Sequence, residues 1–371
     1  MVSTVRASLI AFVLIALGIE LGHATEDSFL FERDNFRIHY VGNGGNCNGC
    51  EWIAIDGQIP TEAGDYLQDF VKRHQFQGIH LDISFNSPGG SLVGAIRLGR
   101  VIRDLGMSTS IGKTVSDGRW YGLEKGACYS ACAYAFLGGV SRSVESGEYG
   151  VHQFYQQALL QNPEGKVFTP IDFSLQQVTT GLLLSYVLEM GASAQLVIEA
   201  NKTLPNDMNL LSKQQLIDFR VSFDPHHYGP WGIEPSRNGL VAFTRTQDEK
   251  HQMTVYCFNS HRAELLVTYQ DVDPSTLEYL TQSLGGIQKF ALLNRAIMRT
   301  AVKIDIVGAK IRLRVPLELN DLQALESDSD PKGAFSVHFD EPRVFLNAVY
   351  ENVNLDGLAA AVRLARRNCI N

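Results

Sequence analysis

The stretch Leu81 to Gly106, LDISFNSPGGSLVGAIRLGRVIRDLG, restricts the fold more than any other part of the chain. Leu81 to Phe85 is an apolar run of strand length, and Pro88-Gly89-Gly90 ends it in a turn. Beyond the turn, Leu92, Ala95, Ile96, Leu98, Val101 and Ile102 recur at the spacing of a helix with one apolar face. Such a unit has to fold onto neighbouring strands. EWIAIDGQI at Glu51 to Ile59, with a turn at Asp56-Gly57, supplies one before it, and Met107 to Lys113 supplies one after it. Thr61 to Arg73, with Ala63, Leu67, Phe70 and Val71 on one face, is the intervening helix. This order predicts an α/β domain of parallel strands layered with helices.

Paired glycines after a strand let backbone N–H groups approach a ligand with no Cβ in the way. Downstream, Ser130 is flanked by small residues in CYSACAYAFLGG, at the start of an apolar helical run that ends at Gly138-Gly139. A helix N-terminus there can polarise the hydroxyl and stabilise an adjacent oxyanion, although a serine at a helix start is more often a cap. Ser130 is the candidate nucleophile. A hydroxyl needs a neighbouring base, and His152 in the following GVHQF is the candidate.

Taken in order, NSPGGS, the small-residue-flanked serine and VHQ resemble the proteolytic subunit of the Clp protease, within the Clp/crotonase superfamily. The resemblance spans Glu51 to Val221, and the variant pattern CxSACA, FLGG, GVH is similar to exported Clp-like proteins. It implies a Clp/crotonase-like β-α-β superhelical domain with Ser130 as nucleophile and His152 as base. The oxyanion N–H groups map onto Gly90 and Ala131. The segment IDFSLQQVTTGLLLSYVLEMGASAQLVIEANKTL reads as two helices split near Gly191. In the Clp subunit the equivalent segment is a handle used in self-assembly, so the resemblance implies a homo-oligomer; the alternative is a helix that covers a single monomer. The family's triad aspartate lies four residues before the serine of "LS", which here is Met208. Asp207, one place off, is the candidate third member, and Asp172 is the other acid within reach in sequence.

Met1 to Ala24 has the form of a secretory signal peptide: Arg6, an apolar run from Ala7 to Ile19, and small residues at Gly22 to Ala24. The run is short for a membrane span, and no later run reaches that length, so a mature chain without a membrane span, periplasmic or secreted, is expected. The net charge is −8 with no basic cluster, which argues against nucleic acid as a partner. All six cysteines, Cys47, Cys50, Cys128, Cys132, Cys257 and Cys369, follow the leader, and an exported chain can oxidise them. The CNGC motif at Cys47 to Cys50 lacks a second ligand pair, which favours a local disulfide over zinc. Cys257 and Cys369 stand alone in the C-terminal part and are expected to pair.

Residues 25–50 read as an N-terminal extension, residues 51–223 as the Clp-like domain and residues 224–239, DPHHYGPWGIEPSRNG, as a linker. From residue 240 to 371 short alternating runs (LVAFTR, MTVYCF, AELLVTYQ, VKIDIVGAKIRLRV, GAFSVHF) predict a small antiparallel β domain closed by a helix over Leu355 to Arg367. The adjacent His226 and His227 have no supporting ligand, so no metal is expected. "GKT" at Gly112 to Thr114 lacks the upstream glycine of a phosphate loop. Ser116 to Gly126 reads as a polar loop over or beside the site.

The function these features favour is an exported serine hydrolase, a peptidase without a cofactor, cutting peptide or protein substrates through an acyl-enzyme. The second reading is a non-catalytic Clp-like scaffold or binding module of the cell envelope. Acyl-CoA chemistry gives the Ser–His pair no role, and for a Ser–Lys dyad the nearest lysines, Lys113 and Lys125, sit outside the motifs.

Overall fold

The computed structural model describes residues 29–42, 50–79, 81–118, 121–145, 147–154, 170–259, 262–272, 274, 277–278, 289–292, 295–298, 301–327, 338–339 and 353–370. The expected leader and Cys47 lie outside them. The fold is mixed α/β with several sheets, and the chain divides into two compact units between Ser222 and Phe223.

In the first unit β1 (Leu30–Arg33) and β2 (Phe36–Gly42) form a hairpin that pairs antiparallel with β3 (Glu51–Gly57). Part of the expected N-terminal extension is therefore sheet. Phe36 and Ile38 sit at alternate positions of β2 and bury, which fixes the hairpin's register. After α1 (Ala63–Arg73), β4 (Asp82–Asn86) runs parallel to β3, and after α2 (Leu92–Asp104), β5 (Ser108–Ile111) runs parallel to β4. Ser91 caps α2 by accepting from the Gly94 N–H at 3.2 Å. The strand expected over Met107 to Lys113 breaks at Gly112, and Lys113 opens β6 (Lys113–Ser116), which pairs with β7 (Tyr121–Glu124). Much of the expected loop over Ser116 to Gly126 is thus a two-stranded hairpin.

Next come β8 (Ala127–Tyr129), α3 (Ala131–Phe136), β9 (Arg142–Ser143) and β10 (Glu148–Val151). β9 joins β5, completing the order β1-β2-β3-β4-β5-β9. β8 and β10 pair parallel in a second sheet, whose other edge, β11 (Asn209–Leu210), is antiparallel to β10. The helices α4 (Pro170–Glu189) and α5 (Gln195–Lys202) lie between, split where Gly191 takes φ +73°, and α6 (Lys213–Asp218) follows β11 behind a Ser212–Gln215 capping box.

All six residues of α3 are buried. The Tyr149 hydroxyl donates to the Ala133 carbonyl and that of Tyr186 to Tyr134, both at 2.8 Å. At the other end Arg142 donates to the carbonyls of Leu137, Gly139, Met190, Arg220 and Val221 at 2.8–3.3 Å. Arg103 adds bonds to Leu137, Gly138, Gly139 and Met190. Two guanidinium groups thus meet the negative end of a buried helix. Burial, then the repulsion of Arg103, pushes the Arg142 guanidinium down to about 10, so it stays charged at neutral pH.

In the second unit β12 (Gly232–Ser236), β13 (Gly239–Arg245), β14 (His251–Asn259) and β15 (Arg262–Tyr269) run antiparallel in sequence order. β16 (Lys289–Leu292) and β17 (Arg295–Met298) form a separate hairpin. β18 (Lys303–Val307) and β19 (Lys310–Leu317) extend the main sheet through a β15–β19 pairing. α7 (Leu319–Leu325), β20 (His338–Phe339), which pairs with β16, and α8 (Leu358–Arg367) complete the unit. The expected linker is absorbed: Tyr228 and Trp231 bury in this unit's core, and Gly232 to Ser236 is the edge strand. A disulfide joins Cys257 on β14 to Cys369 just beyond α8. His226 stacks on His251 at 5.7 Å, and among the described residues no three His, Cys, Asp or Glu side chains gather as a metal site. None of the described helices is long and apolar enough to cross a membrane.

Candidate active site

The chain leaving β4 is held on both sides. Ser87 bridges β8, its N–H donating to the Ala127 carbonyl at 2.7 Å and its carbonyl accepting from Tyr129 at 3.1 Å. Two residues on, the Gly89 carbonyl accepts from Ile59 at 2.8 Å, and Ile59's own carbonyl accepts from Ser91 at 2.8 Å. Ser87 Oγ accepts the Gly89 N–H at 3.1 Å and closes the turn from within. The turn needs glycines, since Gly89 has φ +108° and Gly90 φ +141°. A Cβ on Gly89 would lie 2.8 Å from Ser130 Cβ and 3.1 Å from the Ala131 nitrogen. The Pro-Gly-Gly turn therefore packs directly on the Ser130–Ala131 peptide. Because Ile59 bonds the residues on either side of Gly90, the Gly90 N–H points away from Ile59. Among the described residues neither it nor the Ala131 N–H has an acceptor.

Ser130 sits between β8 and α3 with φ 56° and ψ −121°. A non-glycine residue in this region carries strain of about 1–3 kcal/mol. Its side chain caps none of the N–H groups of α3, so the ordinary reason for a serine at a helix start does not apply. The backbone is fixed instead: Ser130 N–H donates to the Gly150 carbonyl at 3.0 Å, and its carbonyl accepts from Ala133 at 3.1 Å. A strained serine on a strand-to-helix turn presents its Oγ at the apex, as in a nucleophile elbow. Cys128 and Cys132, two residues to either side, are joined in a disulfide.

The β8–β10 register pairs Tyr129 with Gly150, so the parallel strands deliver Ser130 and His152 to the same end of this sheet. His152 is buried at 7% exposure, and its Nδ1–H donates to the Gln153 carbonyl at 2.7 Å. A carbonyl can only accept, so in the neutral ring Nδ1 carries the proton and Nε2 holds the lone pair.

Asp207 does not join this arrangement. Extending the β10–β11 register by one residue sets Met208, not Asp207, opposite His152, and the Met208 side chain lies against Gly150. Asp207 is exposed, and its carboxylate makes no hydrogen bond or ion pair with another described residue. Asp172 lies in the first turn of α4, and its side chain is outside the described set. Neither lysine is placed as a base: Lys113 is exposed on β6, and Lys125 is paired with Glu148 at 2.5 Å. Glu148 also accepts from the Tyr129 hydroxyl. These partners, Lys125 first, hold the Glu148 carboxyl below its usual range, and the bond to Glu148 with some burial pushes the Tyr129 phenol up to about 12.

Sequence reasoning missed the Gln153 carbonyl, the contact of Gly89 with Ser130 and the Cys128–Cys132 bridge. Only the bridge had a signal, two cysteines one helical turn apart around a serine. No family model and no curated protein matches this sequence. Among solved structures, a variant of the membrane-bound stomatin-specific protease 1510-N is similar with a TM-score of 0.32 and 17% identity, over 46% of this chain and 75% of that one.

Proposed function

We propose that this protein is an exported serine hydrolase, a peptidase in which Ser130 is the nucleophile and His152 the base. The observation that carries this reading is the backbone of Ser130, held at φ 56° between β8 and α3 with no capping role. Strain of this kind is kept where presenting a side chain matters more than local stability.

In the proposed reaction Ser130 Oγ attacks the scissile carbonyl carbon while its proton passes to His152 Nε2. Negative charge develops on the substrate oxygen, for which the Gly90 and Ala131 N–H groups are the candidate donors; one such donor is typically worth ~10²–10³ in rate. The imidazolium then protonates the departing amine, leaving an ester on Ser130. Water, deprotonated by His152, attacks the ester and restores the serine. The Gln153 carbonyl keeps the imidazole in the tautomer this needs.

A fluorophosphonate probe tests this on the full-length oxidised chain, with the adduct located by peptide mass. Labelling is expected at Ser130 alone and should be lost in Ser130→Ala and His152→Ala. Asp207→Asn should change the labelling rate by less than ~3-fold, since its carboxylate does not meet the imidazole. No labelling at Ser130 across probes of several sizes would support the binding-module reading instead.

A further inference from the structure

We propose that the Cys128–Cys132 disulfide is a positioning element of this site. It holds Ser130 in its strained elbow, so the serine is competent only in the oxidised chain. The inference rests on Ser130 being the nucleophile.

The bridge spans four residues, and Ser130 is its midpoint. Cys128 is anchored before the serine, paired with Tyr149 on β10 and bridged to Ser87 at the start of the glycine turn. Cys132 is anchored after it, on the first turn of α3. Both residues have 0% exposure. A cross-link between residues so close in sequence removes little freedom from the unfolded chain, because the stabilising effect of a disulfide grows with the loop it closes. The contrast is the Cys257–Cys369 bridge, which spans 112 residues. What the short bridge does constrain is the local path, the two peptide units on either side of Ser130.

That path needs a constraint. α3 has six residues, a length at which a helix does not hold itself together, and no side chain caps its first turn. With the sulfurs joined, β8 and the first turn of α3 are kept at a fixed separation, and the turn between them has to fold sharply at Ser130. With the bond opened, two buried thiols behave as small apolar side chains and leave the core packed. The elbow can then relax toward negative φ, which moves Oγ and the Ala131 N–H from the positions that the bridged turn gives them.

The chemistry of the switch is thiol–disulfide exchange. Both sulfurs are buried, so exchange waits on opening of the elbow; a thiolate of a small dithiol then attacks one sulfur and expels the other as a thiolate, and the dithiol's second thiolate resolves the mixed disulfide. Cys128 and Cys132 end as thiols and the reagent as a cyclic disulfide, two electrons having passed to the protein. A chain made where thiols stay reduced would fold with its serine mispositioned. It would gain activity only where a disulfide oxidant accepts those electrons.

The test is the rate of fluorophosphonate labelling at Ser130 in full-length protein poised across a dithiothreitol series. The redox state of each cysteine pair is read in the same samples by alkylation and peptide mass. Relief of strain of this size corresponds to a population change of about 10- to 100-fold, so the labelling rate constant should fall by that factor. It should fall in step with reduction of Cys128–Cys132 and independently of Cys257–Cys369, and it should recover on reoxidation. Reversible affinity for the probe should change little, placing the loss in the chemical step. A Cys128→Ala, Cys132→Ala double variant should label slowly at every redox setting; if it does not fold, the reduction series on the native sequence decides. Equal rates in oxidised and reduced protein would overturn the positioning role and leave Ser130 as nucleophile. Absence of labelling in the oxidised protein would overturn the nucleophile and this inference with it.

Discussion

At the scale of single residues, the site depends on one position that should not tolerate its backbone angles and one that tolerates nothing else. Ser130 is strained at φ 56°, while Gly89 at φ +108° lies so close that a methyl group would sit 2.8 Å from both Ser130 Cβ and the Tyr129 carbonyl. Neither neighbour is the far end of a flexible side chain, so the clash must move backbone. Gly89→Ala is expected to cost about 1–3 kcal/mol, from overpacking and positive φ together, and to displace the serine. The expected outcome is a lower guanidinium midpoint together with slowed fluorophosphonate labelling at Ser130. A fall in stability with unchanged labelling would mean that the turn is scaffold and does not position the serine.

At the scale of elements, α3 is the piece everything else orients. Its N-terminal end carries the elbow, and its C-terminal end is fixed by a cage of carbonyls around Arg142 and Arg103. The carbonyls of Arg220 and Val221 accept from Arg142 and receive nothing from Arg103. Arg142→Met would fill the volume and leave the buried Val221 carbonyl without that donor, at about 1–3 kcal/mol, and take a donor from the half-buried Arg220 carbonyl as well. A loss of about 2–5 kcal/mol in urea unfolding of the first unit is therefore expected. Arg142→Lys should recover little of it, because one ammonium cannot reproduce a planar fork that reaches five carbonyls. Full recovery by lysine would show that charge at the helix end, and not the fork, is what matters.

At the scale of the whole molecule, two cores share one chain, each with its own buried cluster and its own described disulfide. The Cys257–Cys369 bridge closes a loop spanning 112 residues within the second unit. Replacing both cysteines by alanine should lower that unit's stability by ~4–5 kcal/mol, the loop-closure entropy that the bridge removes from the unfolded chain. Calorimetry should show one transition moving down while the transition of the first unit stays in place. Ser130 labelling below the lowered transition should match that of the unaltered protein. A shift of both transitions together would mean that the two units unfold as one.

The sequence alone determined the features that depend on near neighbours along the chain. The β-α-β order around Pro88-Gly89-Gly90, the start of a helix at Ser130, the break at Gly191 and the alternation in the second unit follow from periodicity and turn chemistry, which act over a few residues. Tertiary structure decided whatever depends on register between distant strands. The pairing of β10 with β11 set Met208 opposite His152 and left Asp207 exposed, a difference of one residue that no local preference encodes. The β1–β2 hairpin, the β6–β7 hairpin and the edge strand in the expected linker are pairings between near neighbours, but the short strands β1, β6, β7 and β12 stay exposed or half-buried and carry little of the apolar alternation by which a strand is read. The Cys128–Cys132 bridge and the Gln153 carbonyl on His152 are local in sequence, yet their place in the site also came only with the fold. A cysteine count permits many pairings, and a backbone carbonyl has no signature in sequence, so only the folded path around Ser130 selects them.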